Sequence, residues 1–181
     1  TTEPTALTAT VNGTNNATQI DLAWTGPTGY TADTYTVLRD AIVIATGVTN
    51  ESYSDSNLTN STAYTYTVKA VYNLEVSVAS PSAIETTLSL TPAAPVASVI
   101  NTGRIDLSWS APAANATSYE VFRDGGSIGT TSNTTISDTG LTAGTQYSYT
   151  LKATQGSDQG DASSASLATS APNAPTSVAA S

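Results

Sequence analysis

The chain contains no histidine, no cysteine and no methionine, and only 5 of its 181 residues are lysine or arginine. Without histidine no side chain titrates near pH 7 at its ordinary pKa, and without cysteine there is no thiolate nucleophile or thiolate metal ligand. These absences exclude Ser-His-Asp triads, zinc sites built on histidine or cysteine, and thiol redox motifs. We therefore predict no enzyme activity and no catalytic, cofactor-binding or metal-binding residue.

The charges that are present are mainly acidic, and the net charge is -9. Nucleic acids and anionic membrane surfaces are bound by clustered lysine and arginine, so neither is expected as a partner. No apolar run approaches the roughly 20 residues of a spanning helix, and the first residues lack the order of a signal peptide. We expect a mature or excised fragment. The lack of cysteine fits a reducing cytosol and a secreted domain with a sufficient core equally well.

Three sequence blocks occur twice, and each second copy lies 83 to 85 positions after the first. Residues 20–24 return as 105–109, residues 35–40 as 119–124, and residues 58–70 as 141–153. Within the blocks apolar and polar residues alternate, which is typical of strands with one buried face. Turn residues rich in glycine, proline and asparagine separate the blocks, which favours a β-sandwich in each copy.

Proline-rich segments follow each copy and suggest the domain boundaries. We predict domain 1 at residues 1–90, a stiff linker at 91–95, domain 2 at 96–171, and at 172–181 a second linker with the start of a further repeat. The first copy has Ala41-Ile42 where the second has Gly125-Gly126, so we expect the turns after Asp40 and Asp124 to differ.

The recurring aromatic and leucine positions resemble the fibronectin type III family over nearly the whole chain. The residues that carry the resemblance, which are also the predicted structural core, are Trp24, Tyr35, Leu58 and Tyr64 in the first copy and Trp109, Tyr119, Leu141 and Tyr147 in the second. In that family each leucine-to-tyrosine pair forms a tyrosine corner, whose phenol hydrogen-bonds to nearby backbone. The resemblance implies an all-β fold of two tandem immunoglobulin-like, seven-stranded sandwiches.

The style of the repeats is similar to modules of bacterial secreted and surface proteins, including those between the domains of polysaccharide-degrading enzymes. The resemblance implies an extracellular location and a spacer, stalk or interaction surface rather than catalysis. The Arg-Gly-Asp tripeptide of some integrin-binding members is absent. The expected partners are flanking domains of the same parent chain, with a surface glycan or neighbouring subunits as alternatives.

Several acidic residues are candidate sites. A glycosidase needs two neighbouring carboxylates, one of them with a raised pKa. Asp21 and Asp106 alternate with apolar residues and are predicted to face solvent, whereas Asp55 and Asp138 are predicted to bond local backbone in turns. The loop at 157–161 offers two carboxylates around a glycine but lacks the spacing of an EF-hand, so it is interpreted as a solvated hairpin rather than a calcium site.

The cations and the remaining aromatic residues give weaker signals. Arg39 matches Arg123, and Lys69 matches Lys152; all four are predicted on outward-facing strand positions, where surface ion pairs contribute about 0 to 1 kcal/mol each. Tyr30 is the one tyrosine predicted to be free in a loop, which is thin support for a stacking carbohydrate site.

Asn-x-Ser/Thr sequons are numerous, and all are predicted in loops, where they could accept glycans in a secretory or surface context. They lie at Asn12, Asn16, Asn50, Asn57, Asn60, Asn115 and Asn133. The sequence thus favours a non-catalytic extracellular spacer or stalk. The alternatives are an adhesive or carbohydrate-binding module and a structural subunit of a glycosylated surface filament.

Overall fold

The computed structural model describes residues 2–174, and every regular element within them is a β-strand. Contacts divide the chain into two units, Thr1–Ser89 and Leu90–Ser181, which we call unit 1 and unit 2. The described part of the chain contains no helix long and apolar enough to cross a membrane. The predicted start of a further repeat, at 176–178, lies outside the described residues.

Unit 1 contains eight antiparallel strands in two sheets. The strands are β1 Thr5–Val11, β2 Gln19–Thr25, β3 Thr34–Arg39, β4 Ile42–Val48, β5 Ser52–Ser56, β6 Ala63–Tyr72, β7 Glu75–Val76 and β8 Ala83–Thr86. One sheet has the order β1-β2-β5, and the other has the order β4-β3-β6-β7, with β8 also pairing β6. β7 has two residues and, like β8, pairs with β6, so the sandwich has seven longer strands.

Unit 2 repeats this arrangement strand for strand. Its strands are β9 Val96–Asn101, β10 Arg104–Ser108, β11 Ser118–Arg123, β12 Gly126–Thr131, β13 Thr135–Thr139, β14 Gln146–Gln155, β15 Asp158–Gln159 and β16 Ser166–Thr169. The sheets have the orders β13-β10-β9 and β12-β11-β14-β15, with β16 also pairing β14. The predicted fold class, two tandem immunoglobulin-like β-sandwiches, is confirmed.

The core of each unit lies between its two sheets and follows from strand alternation, because successive side chains point to opposite faces. The buried residues of β2, β3 and β6 lie at alternate positions in unit 1, and the matching residues of unit 2 are also buried. Trp24 packs edge-on against Tyr35, and Trp109 against Tyr119, with ring centroids 5.3 Å apart in both units.

The eight residues predicted for the core fall into two groups. Six have exposures below 10%: Trp24, Tyr35, Leu58, Trp109, Tyr119 and Leu141. Tyr64 and Tyr147 are half-buried at the margin of the core. Their hydroxyls accept the backbone N–H of Thr59 at 3.0 Å and of Thr142 at 2.9 Å, which is the hydrogen bond of a tyrosine corner.

Buried serines support the last part of each sandwich, where the strand after β6 or β14 is interrupted. The hydroxyls of Ser77 and Ser80 accept the N–H groups of Ala70 and Val68 in unit 1, and Ser163 accepts that of Leu151 in unit 2. A buried backbone N–H without a partner is costly, so these side chains replace missing strand partners. The Val68 contact of Ser80 in unit 1 thus has its counterpart in the Leu151 contact of Ser163 in unit 2.

The prediction that the turns after Asp40 and Asp124 differ is wrong. Asp40 and Ala41 have φ values of 50° and 65°, and Asp124 and Gly125 have 50° and 82°. Both turns thus use the left-handed region at two successive residues, as two-residue hairpin loops do. The aspartate of each turn also holds the turn in place. Asp40 accepts the N–H of Thr65, and Asp124 accepts that of Ser148, each from the neighbouring strand.

At the junction of the units, Leu90, Pro92 and Pro95 are buried. A Cβ on Gly160 would lie 2.6 Å from the Leu90 carbonyl, so the chain of unit 2 begins in close contact with its own sandwich. We retain a stiff linker at 91–95 as a proposal.

Candidate functional site

Asp55 and Asp138 are the most deeply buried carboxylates, and the prediction that they bond local backbone in turns is wrong. They lie inside β5 and β13, and each is 5% exposed. Because β5 pairs with β2, its alternation turns Asp55 toward the core. A buried carboxylate needs partners, and both residues find them in the opposite sheet.

In unit 1 the partners of Asp55 are Tyr66 and Arg39. The Tyr66 hydroxyl donates to Oδ2 at 2.9 Å, and Arg39 Nη1 donates to both carboxylate oxygens at 3.0 and 2.8 Å. The Arg39 guanidinium also lies 5.4 Å from the centre of the Tyr64 ring, which adds a cation–π contact. We call this cluster the Arg–Asp–Tyr network; it joins β5 of one sheet to β3 and β6 of the other.

Unit 2 contains the same network in the same geometry. Tyr149 donates to Asp138 Oδ2 at 2.7 Å, and Arg123 Nη1 donates to Oδ1 at 2.8 Å. Arg123 lies 5.4 Å from the centre of the Tyr147 ring. The prediction that Arg39 and Arg123 face outward is therefore wrong: each shares the inward face of its strand with buried residues two and four positions earlier.

The network is suited to holding the sandwich together rather than to moving protons. Burial, the hydrogen bond to Asp55 and the charge of Asp55 raise the pKa of Tyr66 above its ordinary value of 10.0. Burial and the same contacts with Asp138 raise the pKa of Tyr149. Both phenols stay protonated as donors at neutral pH, so the network is a fixed tie between the sheets.

Asp21 and Asp106, the other candidate acids, have the wrong electrostatics for glycoside hydrolysis. Burial alone would raise the pKa of Asp21, but hydrogen bonds from Asn12, Gln19 and Ser54 lower it. The hydrogen bond from Arg104 lowers the pKa of Asp106. A glycosidase acid needs a raised pKa, and these two carboxylates lie in different units.

A groove of about 520 Å³ lies beside Asp106, between β9, β10 and β13. Asp106 is the only carboxylate among its lining residues, and Arg104 already binds it at 2.7 Å. The groove therefore lacks the second carboxylate that glycoside hydrolysis uses.

Tyr30 is not free, contrary to the prediction. Its hydroxyl donates to the Thr2 carbonyl at 2.7 Å, and its ring lies 5.0 Å from that of Tyr72. It borders an open pocket of about 340 Å³, which we call the loop pocket and which is lined by residues 25–28, 30–32, 35 and 51. Glu51 Oε1 accepts the Gly26 N–H at 3.0 Å and the Tyr35 hydroxyl at 3.2 Å on one side of this pocket.

The sequons all lie outside strands but differ in accessibility. Asn16 is 8% exposed, and the amide of Asn12 donates to Asp21 Oδ2 at 2.7 Å while its carbonyl oxygen accepts two backbone N–H groups. In the loop between β1 and β2 the Asn12 amide is thus hydrogen-bonded and Asn16 is buried, which disfavours both residues as glycan acceptors. Asn60 is half-buried; the exposed sequon asparagines are Asn50, Asn57, Asn115 and Asn133.

The remaining candidates carry no assembled site. Residues 157–159 belong to the β14–β15 hairpin, and residues 160 and 161 follow it. Within residues 2–174 no group of three or more acidic residues could hold a metal ion. Lys69 and Lys152 alternate with buried residues of β6 and β14, and Lys152 Nζ lies 3.4 Å from Gln159 Oε1.

Comparison with known families agrees with this architecture. Residues 90–169 match the family model described as Fibronectin type III domain. Unit 1 has the same strand order as unit 2, and it also has the buried tryptophan and the tyrosine corner. The chain is therefore a tandem pair of fibronectin type III domains.

The relatives of the chain are bacterial proteins named as enzymes. It is 37% identical to Exoglucanase B of Cellulomonas fimi over 84% of this chain and 15% of that protein. It is 31% identical to Chitinase A1 of Niallia circulans over 85% of this chain and 24% of that protein. The chain thus spans about a quarter or less of the curated relatives it matches over most of its length.

Among solved structures, a two-domain fibronectin type III segment from chicken tenascin covers 93% of this chain at 19% identity, with 99% of that segment aligned and a TM-score of 0.48.

Proposed function

We propose that the chain is a non-catalytic spacer module of a larger extracellular protein, in which it separates flanking domains. The observation that carries the proposal is the use of charge: each arginine pairs with an aspartate, and two of those three pairs belong to the duplicated network that ties the sheets. Carboxylates paired in this way maintain the shape of the sandwich and are not available as the general acid or base of a catalytic site.

The relatives support a role beside other domains. Because the matched region is a small part of Exoglucanase B and of Chitinase A1, most of each protein lies outside it. Glucan and chitin are polymers too large to cross a cell envelope, so enzymes named for them support an extracellular setting. Two sandwiches in tandem, each closed on its own core, suit the separation of such domains.

The absence of catalysis is tested directly. The purified chain is incubated with soluble β-glucan and colloidal chitin, and newly formed reducing ends are measured. We expect none above a mock purification. Release of reducing ends that disappears in the Asp21→Asn and Asp106→Asn variants would show that these domains hydrolyse polysaccharide and would overturn the non-catalytic assignment.

A glycosylated surface stalk or filament subunit is a second candidate, favoured by the four exposed sequons. The test is expression in a host with asparagine-linked glycosylation, followed by site-resolved mass spectrometry. We expect modification at Asn50, Asn57, Asn115 or Asn133 and none at Asn12 or Asn16, whose amides are engaged or buried. An unmodified chain from such a host removes this candidate.

A further inference from the structure

We propose that the loop pocket of unit 1 is a binding subsite for a neutral saccharide. Unit 2 has the same fold as unit 1, so it shows which features a sandwich of this kind needs. Features of the pocket that unit 2 lacks are not required to build a sandwich.

Several pocket features are confined to unit 1. Gly26 follows Trp24 by two positions, and Ala111 follows Trp109 in the same way. The carbonyl of Glu51 accepts the Trp24 N–H at 3.0 Å, and in unit 2 the residue doing this for Trp109 is Thr134. Glu51 thus stands where unit 2 has a threonine, and in unit 1 it is one of the residues that line the pocket.

The glycine and the glutamate depend on each other. A Cβ on Gly26 would lie 2.5 Å from Glu51 Oε1 and 2.7 Å from the Tyr35 hydroxyl, and both distances are shorter than a Cβ atom approaches other heavy atoms in proteins. Glycine at this position therefore lets the carboxylate reach the Gly26 N–H. The alanine at the matching position of unit 2 is compatible with threonine there but would displace a glutamate in this orientation.

The aromatic side of the pocket is likewise specific to unit 1. Tyr30 contacts Tyr72 at the end of β6, whereas the corresponding end of β14 has Gln155 and the loop at 111–117 has no aromatic residue. Gln155 donates to the Asn115 carbonyl at 2.9 Å, so unit 2 closes its loop with a hydrogen bond where unit 1 uses two rings. Closing the loop does not require an aromatic ring, and in unit 1 the Tyr30 ring also forms an apolar wall of the pocket.

The chemistry of the lining favours a neutral, hydroxyl-rich ligand. Thr25, Thr28 and Thr31 line the pocket together with Tyr35 and Glu51. The Tyr35 hydroxyl donates to Glu51 Oε1, and the other carboxylate oxygen, Oε2, makes no hydrogen bond within residues 2–174. Carboxylate oxygens accept sugar hydroxyls, and tyrosine rings pack against the C–H face of a sugar. A volume of about 340 Å³ is at the lower end of the range for small-ligand sites.

Charged ligands fit less well. The lining contains no lysine or arginine, so an anion would meet only Glu51. A cation held by aromatic faces needs open rings, but Tyr35 is 5% exposed and packed edge-on against Trp24. A cation would therefore have one carboxylate and the Tyr30 ring alone.

The test is titration of the isotope-labelled chain with cellohexaose, followed by amide chemical shifts; the choice of this β-1,4-glucan probe rests on the proposed function. With so few contacts we expect a dissociation constant on the order of 1 mM. The amides of Gly26, Thr28 and Thr31 should shift and saturate, while those of residues 111–117 should not. Choline chloride is titrated separately as the cationic probe.

Matched variants separate the pocket from the fold. Gly26→Ala displaces the carboxylate and should weaken binding about tenfold, whereas Ala111→Gly, the reciprocal change in unit 2, should leave the affinity unchanged. Glu51→Gln removes the charge without adding a Cβ and should weaken binding about threefold, which keeps the test valid if Gly26→Ala disturbs the fold.

Three outcomes overturn the proposal: no saturable shift with cellohexaose, equal shifts in both units, or shifts of the pocket amides with choline but not with the saccharide. The spacer role is tested separately, by a measured distance between the two units. A failure of saccharide binding would therefore not affect the test of the spacer role.

Discussion

Individual side chains show how a protein with few charges uses them. Asp55 and Asp138 are buried, and each is held by one arginine and one tyrosine from the opposite sheet. Removing one member of a buried ion pair leaves the other charge poorly solvated, which costs more than the pair itself contributes. The three side chains of each network therefore act as one structural unit.

The network of unit 2 should be sensitive to loss of its carboxylate. Asp138→Ala leaves the Tyr149 hydroxyl without its acceptor and Arg123 without its ion pair, and we expect the free energy of unfolding of unit 2 to fall by about 3 kcal/mol. Hydrogen exchange of the Leu151 and Ala153 amides measures this. Asp106→Ala is the control, because its ion pair with Arg104 is exposed, and it should leave exchange unchanged; equal effects would contradict a structural role for the network.

The same tyrosines predict a loss of stability at high pH. The pKa values of Tyr66 and Tyr149 are raised in the folded chain above the ordinary 10.0, so the unfolded chain loses these protons first. The contribution of these two tyrosines to the free energy of unfolding is therefore fully present below pH 10 and is lost as the pH rises beyond it. Urea unfolding at several alkaline pH values should show this decline, and the Tyr66→Phe, Tyr149→Phe double variant should show a shallower one; parallel declines would contradict it.

At the scale of strands and turns, alternation alone predicts the long central strands. The inward residues of β6 and β14 could be identified because apolar and polar positions alternate over the whole strand. Asp55 could not be placed in this way, because serines flank it and β5 has five residues, so its segment looks like a turn. Its orientation depends on pairing with β2, and its partners are 11 and 16 residues away along the chain.

The orientation of Arg39 is predicted wrongly for a different reason. Its position continues the inward alternation of Tyr35 and Val37. A charged residue at the end of a strand is usually solvated, however, so its charge predicts the outward face. The loop pocket cannot be predicted from the sequence, because Gly26 and Glu51 are brought together only by the pairing of β2 with β5.

The β3–β4 and β11–β12 turns allow a reciprocal test at the element scale. Ala41 has a φ of 65° and Gly125 one of 82°, a region in which a Cβ is unfavourable. Ala41→Gly should therefore stabilise unit 1 by about 0.5 kcal/mol, and Gly125→Ala should destabilise unit 2 by about 1 kcal/mol. Thermal unfolding of the two variants measures the changes, and opposite signs from those stated would contradict the shared turn geometry.

For the whole molecule, duplication is the main feature: two units share strand order, aromatic core, tyrosine corner and charge network. The differences are concentrated in loops, where the loop pocket of unit 1 and the exposed sequons lie. A repeated scaffold with variable loops is suited to adding length and local binding surface without a separate catalytic centre.

The spacer role requires a defined distance between the units, and this distance can be measured directly. Because the chain has no cysteine, Asn50→Cys and Asn133→Cys place spin labels at two exposed and equivalent positions. Pulsed electron paramagnetic resonance should give one peak, about twofold narrower than that of the same chain with a flexible Gly/Ser insertion after Ser89. A distribution as broad as that of the insertion variant would show that the units move freely and would contradict the spacer function.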